Sequence, residues 1–203
     1  MAQATLYLLN ARLLADHKEE AMERLSQRRR EAAASMMEEK DCLLQCAAGA
    51  LLRYGLGVTD ESVFSIGEFG KPSLPQGVEF NLSYAGSYAA LLVGEHEAVG
   101  VDIEPALRPD VLPRKMLTAE EMAWLGEHTS GADYCLLWTR LESALKAVGC
   151  GLAYTRREFS LLREDEPWYW DSRTYDGHIV TCAAASPMTV TLRVLTAQDV
   201  LQD

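Results

Sequence analysis

Long apolar runs are missing from this 203-residue chain. None approaches the roughly 20 residues that a membrane helix needs, so no membrane partner is expected. Close cysteine pairs are missing too. Five cysteines, an odd number, are scattered without a CxxC spacing and read as free thiols in a reducing cytoplasm. Cys42 and Cys46 sit one helical turn apart, which a buried helix face explains better than a metal site. The four histidines (His17, His96, His128, His178) are dispersed and show no ligand spacing. Met1 to Asn10 carries no basic stretch and no small-residue cleavage site, so no secretory signal is expected. Positive charge is in deficit: Lys and Arg number 19 against 30 Asp and Glu, a net of −11, which argues against a general nucleic-acid binder.

What is present is an ordinary globular composition, 48% hydrophobic, with an uneven charge. Residues 1–60 hold 8 basic and 9 acidic side chains, whereas residues 61–203 hold 11 and 21. The basic residues of the first third include the run Arg28-Arg29-Arg30, which suits either a local anion site or a solvated helix face flanked by Glu23, Glu31 and Glu38. Periodicity predicts a strand at Thr5–Leu9, then helical pattern from Asp16 to Tyr54 with a break near Glu38–Asp41 and stops at Gly55 and Gly57. A short strand at Val63–Ile66 precedes the turn-rich Gly67–Gly77. A meander is expected at Val78–Tyr84, Tyr88–Gly94 and Ala98–Glu104, with its second turn near Glu95-His96-Glu97. Thr118 with Glu121 is a capping-box pattern, and a further helix covers Asp133–Val148. Strands follow at Phe159–Leu162, Trp168–Thr174, His178–Ala184 and Val190–Leu195, with a short last helix near Asp203. This order, helices then strands twice over, suits an α+β fold of two similar halves, with the segment Asp102–Met116 crossing between them.

The chemistry concentrates in two acidic segments, Val99-Gly100-Val101-Asp102-Ile103-Glu104 and Trp138 through Lys146. Alternation in the first puts Asp102 and Glu104 on one strand face and Val101 and Ile103 on the other. In the second, Trp138, Glu142 and Lys146 fall at i, i+4 and i+8 along one helix stripe. Asp102, Glu104 and Glu142 are oxygen donors of the kind Mg²⁺ takes alongside phosphate oxygens and water, and Lys146 complements a phosphate as a point charge. Singly, each has a bland reading. Glu142 and Lys146 also match a common helix-surface pair contributing about 0.2–0.5 kcal/mol.

The ordered set of Gly70-Lys71-Pro72, Phe80-Asn81-Leu82-Ser83, Val99 to Glu104, Leu117-Thr118-Ala119-Glu120-Glu121, and Trp138 to Lys146 followed by Gly149-Cys150-Gly151-Leu152 resembles the 4′-phosphopantetheinyl transferases of the larger, monomeric Sfp type. The resemblance implies transfer of the phosphopantetheine arm of coenzyme A to a serine of an apo carrier protein, with release of 3′,5′-ADP. It implies two halves in pseudo-twofold relation with the coenzyme in the cleft between them, taken here as residues 1–104 and 105–203. On that resemblance Asp102, Glu104 and Glu142 hold Mg²⁺, and Lys146 contacts the pyrophosphate. Arg29, Lys71, Ser83 and Tyr84 lie on the nucleotide side. Glu142 is the first choice of general base, with Glu121 or a metal-bound water behind it.

Two positions depart from the family pattern. Tyr84 stands where a phosphate-donating histidine is usual, and Leu141 stands where lysine usually precedes the helical Glu. These departures favour, as the alternative reading, a non-catalytic binding module for coenzyme A or a carrier protein. The intact carboxylates and Lys146 oppose it. A Mg²⁺-dependent phosphohydrolase or nuclease is a further alternative, opposed by the acidic charge and by the lack of any identifiable residue to position a water.

Overall fold

Strand alternation sets the first element of the fold. The computed structural model describes residues 2–95, 98–106, 114–151, 159–163 and 168–202. In β1 (Ala2–Asn10), Leu6 and Leu8 enter one core while Tyr7 and Leu9 enter another. The helical stretch that follows divides into α1 (Lys18–Glu23), α2 (Gln27–Ala34) and α3 (Glu39–Leu56). The break at Glu38 is as expected. The additional break comes at Ser26, whose hydroxyl accepts from the Arg29 N–H and caps α2. On α3, Cys42 and Cys46 are buried in the core beside Leu51 and Leu52.

A two-residue pairing joins β2 (Ser65–Ile66) to β3 (Pro72–Ser73), and β4 (Glu79–Ala85) and β5 (Tyr88–Gly94) form an antiparallel hairpin. The third strand of the expected meander, β6 (Val99–Pro105), leaves that sheet. It pairs instead with β8 (His178–Ala184), which also pairs with β7 (Tyr169–Tyr175). Between them come α4 (Ala119–Glu127), opened by the Thr118–Glu121 capping box, and α5 (Gly131–Val148), closed by Gly149 at φ 75°. The chain ends with β9 (Met188–Leu195) and α6 (Ala197–Leu201). Phe159–Leu162 is not a strand. Leu161 instead plugs the core between α4 and α5, its N–H taken by Glu121 and its carbonyl by Arg140. The turn at His96-Glu97, residues 107–113 of the crossing segment and Leu152 lie outside the described residues.

The result is an α+β fold with a four-stranded sheet, β4-β5-β1-β9, and a three-stranded sheet, β6-β8-β7. β1 and β9 run parallel and all other neighbours antiparallel. One face of the larger sheet carries α3. The other face packs Leu6, Leu8 and Leu92 against Val101, Ile103 and Val180 of the smaller sheet. The outer face of the smaller sheet carries α5 through Ala144, Ala147 and Ala183. Strand pairing crosses the 104/105 line twice, because β6 joins strands of the later sequence and β9 returns to β1.

Gly100 fixes how closely α5 approaches β6. A Cβ there would overlap the Ser143 carbonyl oxygen and lie 2.6 Å from the Ala147 nitrogen, both helix backbone. Glycine at this position lets the helix lie on the strand and brings Glu142 and Lys146 over Asp102.

Candidate active site

The site forms where the edge strands of the two sheets meet. β4 and β6 are not joined by a backbone ladder; the Asn81 side chain of β4 accepts from the Val101 N–H of β6 at 2.9 Å. Two residues further along β4, the Ser83 hydroxyl donates to Asp102 Oδ1 at 2.9 Å. From α5, the Lys146 ammonium donates to the same oxygen at 2.5 Å and to Ser83 Oγ at 3.0 Å. Asp102, Ser83 and Lys146 therefore come together from three elements.

Alternation places Asp102 on the face opposite Val101 and Ile103, as expected, but that face is not solvent. Asp102 is 3% exposed because α5 covers it. Burial pushes its carboxyl pKa upward, against the Lys146 charge and the Ser83 bond, which favour the anion. Its second oxygen, Oδ2, is buried and accepts no hydrogen bond among the described residues. Glu142 is also held above its ordinary range, first by burial and then by the nearby Asp102 charge, with Lys146 acting the other way. Glu104 and Asp102 both push up the thiol of Cys135 to about 12, behind the larger effect of burial, so both carboxylates border that cysteine.

The expected trio of Asp102, Glu104 and Glu142 is not gathered as a finished ligand set. Among the described residues no three His, Cys, Asp or Glu side chains converge closely enough to hold a metal ion. The physical reason is charge: like carboxylates repel, and the Lys146 ammonium supplies the counter-charge at Asp102. The donor set nevertheless fits a hard divalent cation. The donors are oxygens, Asp102 Oδ2 is buried without a hydrogen-bond partner among the described residues, and Glu142 is destabilised as an anion first by burial and then by the Asp102 charge.

Other expected site residues have different fates. Glu121 is fully buried, its Oε2 accepting from the Thr118 N–H at 2.9 Å and its Oε1 from the Leu161 N–H at 2.7 Å. Both of its carboxylate oxygens therefore accept from backbone N–H groups. Lys71 donates to the Ala147 carbonyl at 2.7 Å, close to the C-terminal end of α5, and lies 3.6 Å from Glu79. Burial pulls its pKa down, opposed by Glu79. Its neighbours Gly70 and Pro72 instead line a cavity of about 310 Å³ with Arg28, Arg29, Gln45, Glu61, Phe64 and Tyr84. Arg29 pairs with Glu61, and Tyr84 receives a hydrogen bond from Gln45 at 3.1 Å.

Gln45 and Glu61 escaped the sequence reading, which named Arg28 only within the arginine run and Asn81 only within the Phe80–Ser83 motif. A signal existed for Gln45, a lone amide inside the apolar run Cys42–Ala48, since a buried polar group requires a partner.

Residues 98–183 match the sequence model of the 4′-phosphopantetheinyl transferase superfamily, a span that contains Asp102, Glu104, Glu142 and Lys146. The chain is similar to the 4′-phosphopantetheinyl transferase of Bacillus subtilis, 31% identical over 62% of this chain and 57% of that protein. It is also similar to 4′-phosphopantetheinyl transferase AcpT of Salmonella typhi, 35% identical over 51% of this chain and 57% of that one. A third likeness is to 4′-phosphopantetheinyl transferase gsp of Aneurinibacillus migulanus, 28% identical over 48% and 43%. The chain thus spans about half the length of the curated relatives it matches. Residues 98–183, with the buried Asp102 and the α5 pair among them, carry the likeness to the 4′-phosphopantetheinyl transferase superfamily.

Proposed function

We propose that this chain is a Sfp-type 4′-phosphopantetheinyl transferase, moving the phosphopantetheine arm of coenzyme A to a serine of an apo carrier protein. The observation that carries the reading is Asp102, a buried carboxylate at the seam of the two sheets, held by Ser83 of β4 and Lys146 of α5. A buried charge of this kind is a poor way to gain stability and a good way to prepare a phosphate site. On this reading the chain forms two halves in pseudo-twofold relation, 1–104 and 105–203 apart from the strands β6 and β9 that pair across that line, with the coenzyme in the cleft between them.

Asp102, Glu104 and Glu142 would hold Mg²⁺, which when bound supplies positive charge to neutralise the pyrophosphate and the leaving group. Lys146 turns from Asp102 to a pyrophosphate oxygen. The serine oxygen bonds to the phosphorus of the pantetheine phosphate, the bond from that phosphorus to the bridging oxygen breaks, and 3′,5′-ADP leaves. Glu142 takes the serine proton. The protein acts as a monomer in the cytoplasm.

The test is the intact mass of an apo acyl carrier protein after incubation with this chain, coenzyme A and Mg²⁺. A gain of one phosphopantetheine arm is expected, lost with Glu142→Gln or on removing the metal. Coenzyme A binding without transfer to any of several carrier proteins would replace this reading with the non-catalytic binding module.

A further inference from the structure

Lys71 turns away from the cavity that its neighbours line. Gly70 and Pro72 border that cavity, whereas the Lys71 side chain packs against Gly149, where an added Cβ would lie 3.0 Å from Lys71 Cδ. Its ammonium donates to the Ala147 carbonyl at 2.7 Å and to the Val99 carbonyl at 3.4 Å, and lies 3.6 Å from a Glu79 carboxylate oxygen. An ammonium has three N–H donors, and three protein oxygens surround this one. No donor is left over for a phosphate.

Those contacts fasten the end of α5. The Ala147 carbonyl belongs to the last helical turn, where carbonyls lack a partner within the helix and a cation complements the negative end of the dipole. Val99 opens β6. One side chain therefore bridges α5 to β6, beside Lys146 on the helix and just before Asp102 on the strand. It does so where Gly100 permits the close approach, since the Ala147 nitrogen is among the atoms that a Cβ at Gly100 would strike. The loop carrying Lys71 holds its shape through other bonds. The Gly67 N–H donates to the Lys71 carbonyl at 2.9 Å and the Gly70 N–H to the Gly67 carbonyl at 3.0 Å, while Ser65 and Ile66 pair with Ser73 and Pro72.

We infer that Lys71 is a positioning residue for arm transfer: it holds α5 against β6, keeps Glu142 and Lys146 over Asp102, and makes no contact with the coenzyme. The inference rests on the transferase reading. Lys71, expected on the nucleotide side, acts through α5 instead.

The experiment compares the full chain as wild type, Lys71→Met, Gly100→Ala and the double variant. Each is followed by KM and kcat for coenzyme A in the carrier-protein mass assay, calorimetric titration with 3′,5′-ADP, thermal midpoint and amide hydrogen exchange. Methionine keeps most of the stem and removes the donors. Lys71→Met lowers kcat per folded molecule about tenfold, while KM for coenzyme A and affinity for 3′,5′-ADP stay within about twofold of wild type. Amides from Leu145 to Gly149 exchange about tenfold faster, and those of the loop from Gly67 to Lys71 exchange as in wild type. In the Gly100→Ala background Lys71→Met costs no more than about a further twofold in kcat, because a displaced helix has already lost what the lysine holds. A loss of about tenfold in 3′,5′-ADP affinity with kcat preserved makes Lys71 a coenzyme ligand and overturns the inference. A lower thermal midpoint with wild-type kcat per folded molecule overturns it too, as do multiplying effects of the two substitutions. A wild type that transfers no arm overturns the function reading; the exchange rates then decide the hold on α5 alone, which unchanged exchange from Leu145 to Gly149 in Lys71→Met overturns.

Discussion

Substituting alanine for Gly100 tests whether the approach of α5 to β6 sets the geometry of the site. The added Cβ would lie 2.6 Å from the Ala147 nitrogen and 2.9 Å from the Ser143 carbonyl carbon, and would overlap the Ser143 oxygen. All three atoms are helix backbone, so no side-chain rotation relieves the clash. Restoring ordinary contact requires α5 to retreat by about 1 Å, in an interior packed too densely to absorb it. Overpacking of this kind costs about 1–3 kcal/mol, or roughly 3–10 °C in melting temperature for a chain of this size. Because Glu142 and Lys146 ride on α5 and Asp102 on β6, the same retreat lengthens the Lys146–Asp102 contact. A displacement of about 1 Å can reduce a rate on the order of 100-fold. Thermal unfolding and the carrier-protein mass assay, run on the folded fraction at 15 °C, separate the two effects. A Gly100→Ala variant that melts within 1 °C of wild type and transfers the arm at the wild-type rate would refute the reasoning.

Removing the Glu121 carboxylate (Glu121→Ala) leaves the buried Leu161 N–H unsatisfied and breaks the capping box at Thr118. It should cost about 3 kcal/mol in urea unfolding while the rate per folded molecule stays within about twofold; the reverse pattern would mark Glu121 as a base. Asp102→Asn removes a carboxylate whose burial opposes ionisation, and the half-buried Lys146 can turn to water. The variant should unfold no earlier than wild type yet lose transfer by at least about 100-fold, and an early melt would show that the ion pair is structural. Glu61 is pulled up by burial but held below its ordinary pKa by the Arg29 bond and charge. Its stabilisation is therefore full above the unfolded carboxylate pKa and lost as pH falls through the folded one. Glu61→Gln should be less stable than wild type at pH 7 by about 1–2 kcal/mol, with the two curves converging below about pH 4; parallel curves across pH 3–7 would contradict the pairing.

How much of this was legible beforehand depends on the range of the interaction involved. The capping box at Thr118, the stop at Gly149 and the facing of Asp102 against Val101 and Ile103 are set within a few residues, and the sequence carries them. The partner of β6 is a different matter. Its alternation is the same whether it completes a meander beside β5 or joins β8, and only the fit of Gly100 beneath α5 separates the two. Glu121 shows the same ambiguity at a single residue, because a carboxylate three positions after a capping threonine has the spacing of a cap whatever else it does. Its second oxygen was decided by Leu161, 40 residues away. The arginine run follows that logic to its end. Three identical side chains in one helix cannot be ranked by their own neighbours. Arg30 meets the end of the preceding helix, and Arg29 meets Glu61, 32 residues further along. Arg28 is left facing the cavity. Residue type fixed which contacts were possible; the long-range partners decided which copy makes each of them.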